Sequence, residues 1–79
     1  RKYQAAIRWL SSARHSHGIL NDREYRAKVT YLLGKIYYRL GNFKQAIAYF
    51  HEVALRLPRN SFSDDAQYWQ SLSYYSQQS

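Results

Sequence analysis

The 79-residue chain contains no cysteine and only one proline and three glycines. The absence of cysteine excludes disulfides and thiolate metal sites. No apolar run approaches the roughly 20 residues that a membrane-spanning helix needs, and no secretion-signal pattern opens the chain. No segment alternates apolar and polar residues, and no Asn-Gly or Asp-Gly hairpin signal is present, so strands are not expected.

Acidic residues are also scarce, and the charge they leave is unevenly placed. Twelve Lys and Arg stand against five Asp and Glu, which gives a net charge of +7. Residues 1–39 carry this whole excess, whereas residues 40–79 are neutral. Such asymmetry indicates either a surface for acidic partners or a set of charges that keeps a tyrosine-rich chain soluble, and the sequence leaves both readings open.

Four segments show the periodicity of amphipathic helices. They cover about residues 2–14, 21–40, 43–57 and 63–75, and the short loops between them favour antiparallel helix pairs in an all-α fold. Their apolar positions, in chain order, are Tyr3, Ala6, Ile7, Leu10 and Ala13; Ala27, Thr30, Leu33, Gly34 and Tyr37; Phe43, Ala46, Ile47, Phe50, Val53, Ala54 and Leu57; and Ala66, Tyr68, Trp69, Leu72, Tyr74 and Tyr75.

Capping residues predict where these helices begin and end. Asn21 with Glu24 three residues later forms a capping-box pattern for the second helix, and Ser63 is the expected N-cap of the fourth. Gly41 predicts a turn with positive φ after the second helix. Pro58 predicts the end of the third helix, because proline cannot donate the backbone hydrogen bond.

The four helices repeat in pairs. The first aligns with the third at an offset of 40 residues, and the second with the fourth at an offset of 37. Residues 27–60, AKVTYLLGKIYYRLGNFKQAIAYFHEVALRLPRN, resemble the tetratricopeptide repeat, although Thr30 stands where that family usually has Trp or another large apolar residue. The matching positions are Leu33, Gly34, Tyr37, Gly41, Phe43, Ala46, Phe50 and Pro58.

The resemblance implies a short solenoid of stacked helix hairpins. Each repeat of that family has a first helix, A, and a second helix, B. The four helices here would follow the order B-A-B-A, with small residues at Gly34 and Ala46 where the A and B helices of the full repeat meet. Residues 1–79 would form one domain or, since the chain opens with Arg1 rather than Met, a fragment of a longer array. The long joint after Leu57 is similar to joints of bacterial envelope members of the family, which suggests a periplasmic or membrane-associated location and leaves a cytoplasmic one open.

The resemblance also implies a scaffold that binds a peptide or partner protein on the concave surface of its A helices, without enzymatic activity or a cofactor. The corresponding residues are cationic and aromatic, which suits a peptide that carries carboxylates. Each also has a plainer role, since the tyrosines can pack against the next A helix and the cations can form a solvated face. These candidate residues are Lys28, Tyr31, Lys35, Tyr38 and Arg39 on the second helix, and Asp65, Tyr68, Leu72 and Tyr75 on the fourth.

The sequence gives less support to two other kinds of site. A pI near 9.9 and interleaved Lys, Arg and Tyr also fit nucleic acid, but the basic residues of the first helix spread around it rather than forming one stripe. His15, His17 and His51 lack a carboxylate or cysteine at ligand spacing, so no metal site is predicted. No catalytic motif is present.

A purely structural role in assembly is the remaining alternative. In the resemblance, the first helix is a B helix without its A partner, and the fourth is an A helix without its B partner. A repeat buries its apolar face only against a neighbour. We therefore expect these faces to contact neighbouring repeats of a longer chain or a second copy, and Trp9, which lies off the apolar stripe, to contact such a partner.

Overall fold

The computed structural model describes residues 2–15 and 22–78. They form four α-helices, and no strand occurs within these two ranges. The all-α prediction is therefore confirmed. The helices are α1 (Lys2–Arg14), α2 (Arg23–Arg39), α3 (Phe43–His51) and α4 (Ser63–Gln78), and a π-helical turn, Glu52–Arg56, continues α3.

Each helix packs against the next one in the chain, which gives a thin slab of 40 × 31 × 14 Å. Two clusters of buried side chains hold it together. One joins α1 to α2, and the other joins α2, α3 and α4. The first consists of Leu10, Ala13, Val29 and Leu33, and the second of Ala27, Tyr31, Ala46, Phe50, Val53 and Ala66.

The contact between α2 and α3 depends on a missing side chain at Gly34. A Cβ atom built at Gly34 would lie 2.7 Å from Cε1 of Phe50, a fully buried residue. Ala46 is fully buried in the same cluster. Beside them Tyr37 stacks on Tyr49, with ring centroids 5.6 Å apart. The close approach of the two helices at small residues, with aromatic rings alongside, is therefore as expected.

The turn after α2 is the one that Gly41 predicts. Gly41 has a φ of 80°, a region that residues with a Cβ rarely adopt. Its N–H donates to the carbonyl of Tyr38, and the N–H of Asn42 donates to that of Tyr37, which is the Schellman pattern. The side chain of Asn42 then accepts from the N–H of Gln45 and caps α3.

The start of α2 differs from the prediction. Asp22 is the N-cap, and its carboxylate accepts from the N–H groups of Glu24 and Tyr25, both at 3.1 Å. Asn21, the predicted cap, lies outside the described residues. The carboxylate of Glu24 accepts from the N–H of Ser61, 3.1 Å away, and ties the start of α2 to the joint before α4.

The predicted N-cap of α4 was wrong. Ser63 is the first residue of the helix, and its hydroxyl accepts from the backbone N–H of Asn60. The buried Asn60 side chain organises this joint, since its amide donates to the carbonyls of Val53 and Pro58 and its oxygen accepts from the N–H of Phe62. The π-helical turn also ends here, with the N–H of Leu57 bound to the carbonyl of Glu52.

Thr30 departs from the repeat pattern for a reason that the structure makes clear. The residue is fully buried, and its hydroxyl accepts from Nε of Arg14, 3.2 Å away. Arg14 also forms an ion pair with Glu52 and lies over the ring of Tyr49. A large apolar side chain at position 30 would remove the acceptor that Arg14 uses.

Candidate functional site

The three cationic residues predicted to bind a partner share one side of α2. Lys28, Lys35 and Arg39 are spaced so that they lie above one another on the helix, and the intervening Leu32 extends the same row. Lys28, Leu32 and Arg39 are exposed and Lys35 is partly exposed. Helices α1 and α3 pack against other sides of α2, and α4 meets it through Trp69 and Ser76. This row, Lys28, Leu32, Lys35 and Arg39, is called the basic row below.

Lys35 links the basic row to α4. Its Nζ atom lies 5.2 Å from the centroid of the Trp69 ring and 5.5 Å from that of Tyr31. Both distances are within the range of a cation–π interaction. The ammonium group is thus held at the seam between α2 and α4, where a ligand lying across both helices would meet it.

The two tyrosines predicted on α2 form the floor of this seam. Tyr31 is only 8 % exposed and packs against Phe50 and Phe62. Burial, and secondarily the charge of Asp65, raises the pKa of its hydroxyl above the ordinary value, so Tyr31 stays neutral.

Tyr38 is partly buried beside it. Its ring meets those of Phe43 and Trp69 edge-on, both at 5.2 Å, and its hydroxyl is 3.1 Å from Oγ of Ser76. Tyr38 therefore packs against the next A helix, and Tyr31 is buried against α3 and the joint before α4, so both support the surface from below.

The α4 residues predicted to bind a partner lie at the surface. Tyr68 and Tyr75 are 64 % and 71 % exposed, Asp65 is exposed, and Leu72 is partly buried. Tyr68 and Tyr75 immediately precede Trp69 and Ser76, which face α2, so they lie about 100° further round the helix. Gln70, which contacts His51 of α3, is displaced by the same angle in the opposite direction. The two exposed tyrosines thus lie on the side of α4 away from α3.

Four of the five acidic side chains bond away from the basic row, and the fifth, Asp65, lies on α4. Within residues 2–15 and 22–78, the structure shows no ion pair for Lys28, Lys35 or Arg39. Glu52 pairs with Arg14 and Arg26, and Asp64 with Arg59. The face formed by the basic row together with Asp65, Tyr68, Leu72 and Tyr75 is therefore mostly cationic and aromatic; it is called the α2–α4 face below.

A second basic surface lies on the side of α3. A concavity of about 680 Å³ is lined by Lys44, His51, Glu52 and Arg56, among others. Its single carboxylate, on Glu52, is already shared by Arg14 and Arg26. This α3 face has exposed cations but no exposed aromatic ring among the residues that line it.

The described parts of the chain contain neither a group of metal ligands nor a membrane-spanning helix. No group of three or more His, Asp or Glu side chains there is arranged to hold a metal ion, and His17 lies outside the described residues. None of the helices that the structure describes is long and apolar enough to cross a membrane.

Leu32 is the one residue of the α2–α4 face that the sequence analysis missed. It is absent from the apolar stripe of α2 because it lies on the opposite side of the helix. A signal was available, since Leu32 stands four residues after Lys28 and seven before Arg39, in the middle of the predicted basic row.

Comparisons with known proteins agree with this geometry. A family model of the tetratricopeptide repeat matches residues 27–60, which contain most of α2, all of α3 and the π-helical turn. Searches of curated proteins and of solved structures found no significant match. The matched stretch is the segment in which Gly34 meets Phe50 and Gly41 makes the turn. The chain therefore contains a tetratricopeptide repeat over residues 27–60.

Proposed function

We propose that this chain is a non-catalytic scaffold module that binds an acidic peptide, or an acidic segment of a partner protein, on its α2–α4 face. Tetratricopeptide repeats generally mediate protein–protein interaction. The observation that carries the proposal is a basic row on α2 that forms no ion pair, together with the exposed rings of Tyr68 and Tyr75 on α4. The proposal is supported by the position of both groups on α2 and α4, which correspond to the A helices in the resemblance.

The chemistry of the face suits carboxylates on an extended or helical peptide. Lysine and arginine form charge-assisted hydrogen bonds with carboxylates, and exposed tyrosines give contact area at a small cost in conformational entropy. Leu32 and Leu72 add apolar contacts between the charges. Asp65, the one acidic residue on this face, would disfavour a ligand carboxylate at its end of α4 and so bias the ligand toward the basic row.

The test compares two double variants that lose the same charge. Lys28→Gln with Arg39→Gln removes cations from the α2–α4 face, and Lys44→Gln with Arg56→Gln removes cations from the α3 face. All four side chains are exposed, so both proteins should fold. The probe is a fluorescein-labelled peptide rich in Asp and Glu with a free terminal carboxylate, measured by fluorescence anisotropy against its Asn/Gln, amidated analogue.

We expect the Lys28/Arg39 variant to weaken binding of the acidic peptide about tenfold or more, whereas the Lys44/Arg56 variant changes it about twofold or less. Equal losses in both variants would mean that only net charge matters and would contradict the proposal. An oligothymidylate probe that binds more tightly than the peptide, with a steep loss between 50 and 200 mM salt, would instead indicate nucleic acid.

A further inference from the structure

Lys35 differs from the other two cations of the basic row in what surrounds it. Within the described residues, Lys28 and Arg39 are exposed and show no cation–π contact. The ammonium group of Lys35 lies over two rings, those of Tyr31 and Trp69, and its side chain is partly shielded from water. One of the three cations is therefore held in place by the fold itself.

The ring of Trp69 is fixed from two sides. It stacks on the fully buried Phe50, with the centroids 6.0 Å and the planes 27° apart, and it meets the ring of Tyr38 edge-on at 5.2 Å. Phe50 belongs to the buried cluster that joins α2, α3 and α4. The position of Trp69, and with it that of the ammonium group above it, is therefore set by core packing.

This placement changes what a ligand carboxylate gains at Lys35. A freely rotating lysine or arginine loses side-chain entropy when a ligand fixes it, and water and salt screen its charge. The two rings already restrict Lys35, and they displace water from one side of its ammonium group. A carboxylate at the seam should therefore gain more from Lys35 than from Lys28 or Arg39, although all three carry the same charge.

The charges around the seam leave Lys35 available to such a carboxylate. The structure shows no ion pair for Lys35 within residues 2–15 and 22–78. Arg39, one turn further along α2, adds attraction on its side. Burial and then the charge of Asp65 raise the pKa of the Tyr31 hydroxyl, so the field of Asp65 reaches the opposite side of the seam. A carboxylate is therefore favoured between Lys35 and Arg39, away from Asp65.

Resting on the function proposed above, we propose that Lys35 determines the specificity of the α2–α4 face for carboxylates and that Trp69 is its positioning residue. The rings of Trp69 and Tyr31 hold the ammonium group at the seam, where it donates to a carboxylate of the bound peptide. Lys28 and Arg39 attract the same peptide from more mobile positions and contribute less to the choice of ligand.

The test measures specificity as well as affinity. For each variant, fluorescence anisotropy gives the Kd of the acidic peptide and the Kd of its Asn/Gln, amidated analogue, and the ratio of the two is the preference for carboxylates. Lys35→Gln should reduce this ratio about tenfold. Lys28→Gln, the matched control that loses the same charge from the same helix, should reduce it about threefold. Both side chains are at least partly exposed, so both proteins should fold.

Trp69→Leu tests the positioning role, since it keeps an apolar side chain and every charge but removes the ring. It should reduce the ratio at least about threefold, and Trp69→Phe, which keeps an aromatic face, should return it to within about twofold of the original. In the Lys35→Gln background, Trp69→Leu should change the ratio no further. A merely structural role would lower the affinity for both peptides and leave the ratio unchanged. Circular dichroism checks that each variant is folded.

The outcomes separate this proposal from the one on which it rests. Equal losses for Lys35→Gln and Lys28→Gln would overturn it, as would a Trp69→Leu protein with the original ratio; the α2–α4 face would then still bind acidic peptides. An unmodified chain that binds both peptides equally well would contradict the proposed function itself, and the role of Lys35 with it.

Discussion

The guanidinium group of Arg14 in α1 forms an ion pair with the carboxylate of Glu52 in the π-helical turn, and its Nε also donates to the hydroxyl of the buried Thr30. Arg26 of α2 donates to the second oxygen of the same carboxylate, 3.3 Å away. One side chain thus connects α1, α2 and the end of α3. The side chains of both Arg14 and Glu52 are largely shielded from water, which makes this network more important for stability than a surface ion pair.

We expect Glu52→Gln to lower the free energy of unfolding by about 1–3 kcal/mol, because it leaves two partly buried guanidinium groups without their counter-charge. Urea denaturation followed by circular dichroism measures this loss. Asp64→Asn is the control, since the Arg59–Asp64 pair is more than two-thirds exposed, and its loss should stay below about 1 kcal/mol. Equal losses would contradict the role of Glu52.

Gly34→Ala should destabilise the chain although alanine is the better helix former. The gain in helix propensity is about 1 kcal/mol, whereas the added Cβ would overlap the fully buried ring of Phe50, and overpacking costs about 1–3 kcal/mol. We expect a net loss of about 1 kcal/mol, measured by urea denaturation. Ser71→Ala, at the equivalent exposed position of α4, should instead be neutral or slightly stabilising. A Gly34→Ala protein more stable than the original would contradict the packing described here.

Gly41→Ala isolates the backbone effect at the turn between α2 and α3. Nothing lies within 4 Å of a Cβ built at this position, so any loss comes from the φ of +80°. The expected loss is about 1–2 kcal/mol. Gly41→Asn should lose less, because asparagine tolerates the left-handed region better, and the order of the two unfolding midpoints checks this. An alanine variant as stable as the original would show that the turn relaxes to another conformation.

Stability should fall at alkaline pH through Tyr31 and Tyr49. Burial is the main reason that the pKa of each hydroxyl is raised above the ordinary value of 10.0 in the folded chain. Because the folded state holds these protons more tightly than the unfolded state, their contribution is complete below pH 10.0 and is lost as the pH rises toward the folded-state values. Above pH 10, the midpoint temperature of thermal unfolding should therefore fall less steeply with pH for Tyr31→Phe than for Tyr68→Phe, because the hydroxyl of Tyr68 is exposed.

Much of the fold could be predicted from local signals in the sequence. The bounds of α1 follow from its apolar period, whereas the turn at Gly41 and the end of the π-helical turn before Pro58 each follow from a residue whose backbone permits few alternatives. The close contact at Gly34 followed from the match to a repeat pattern. These features depend on neighbours in the sequence or on a regular period, which is why a single chain reveals them.

The missed features depend on distant partners. Asn60 satisfies carbonyls of Val53 and Pro58 at the end of the π-helical turn, and no local pattern predicts that turn. Thr30 is buried because Arg14 reaches it from another helix. The same limit applies to the candidate site, where the basic row was predictable from helical spacing, but the burial of Tyr31 depends on where Phe62 and Trp69 are placed by the joint before α4.

The measurement that tests the account most directly is a nuclear magnetic resonance titration of the isotope-labelled chain with the acidic peptide. Binding on the α2–α4 face predicts chemical-shift changes concentrated at the basic row and at Tyr68, Leu72 and Tyr75, with little change at Lys44, His51 and Arg56. Shift changes concentrated on the α3 face, or no change at saturating peptide, would contradict the proposed binding surface.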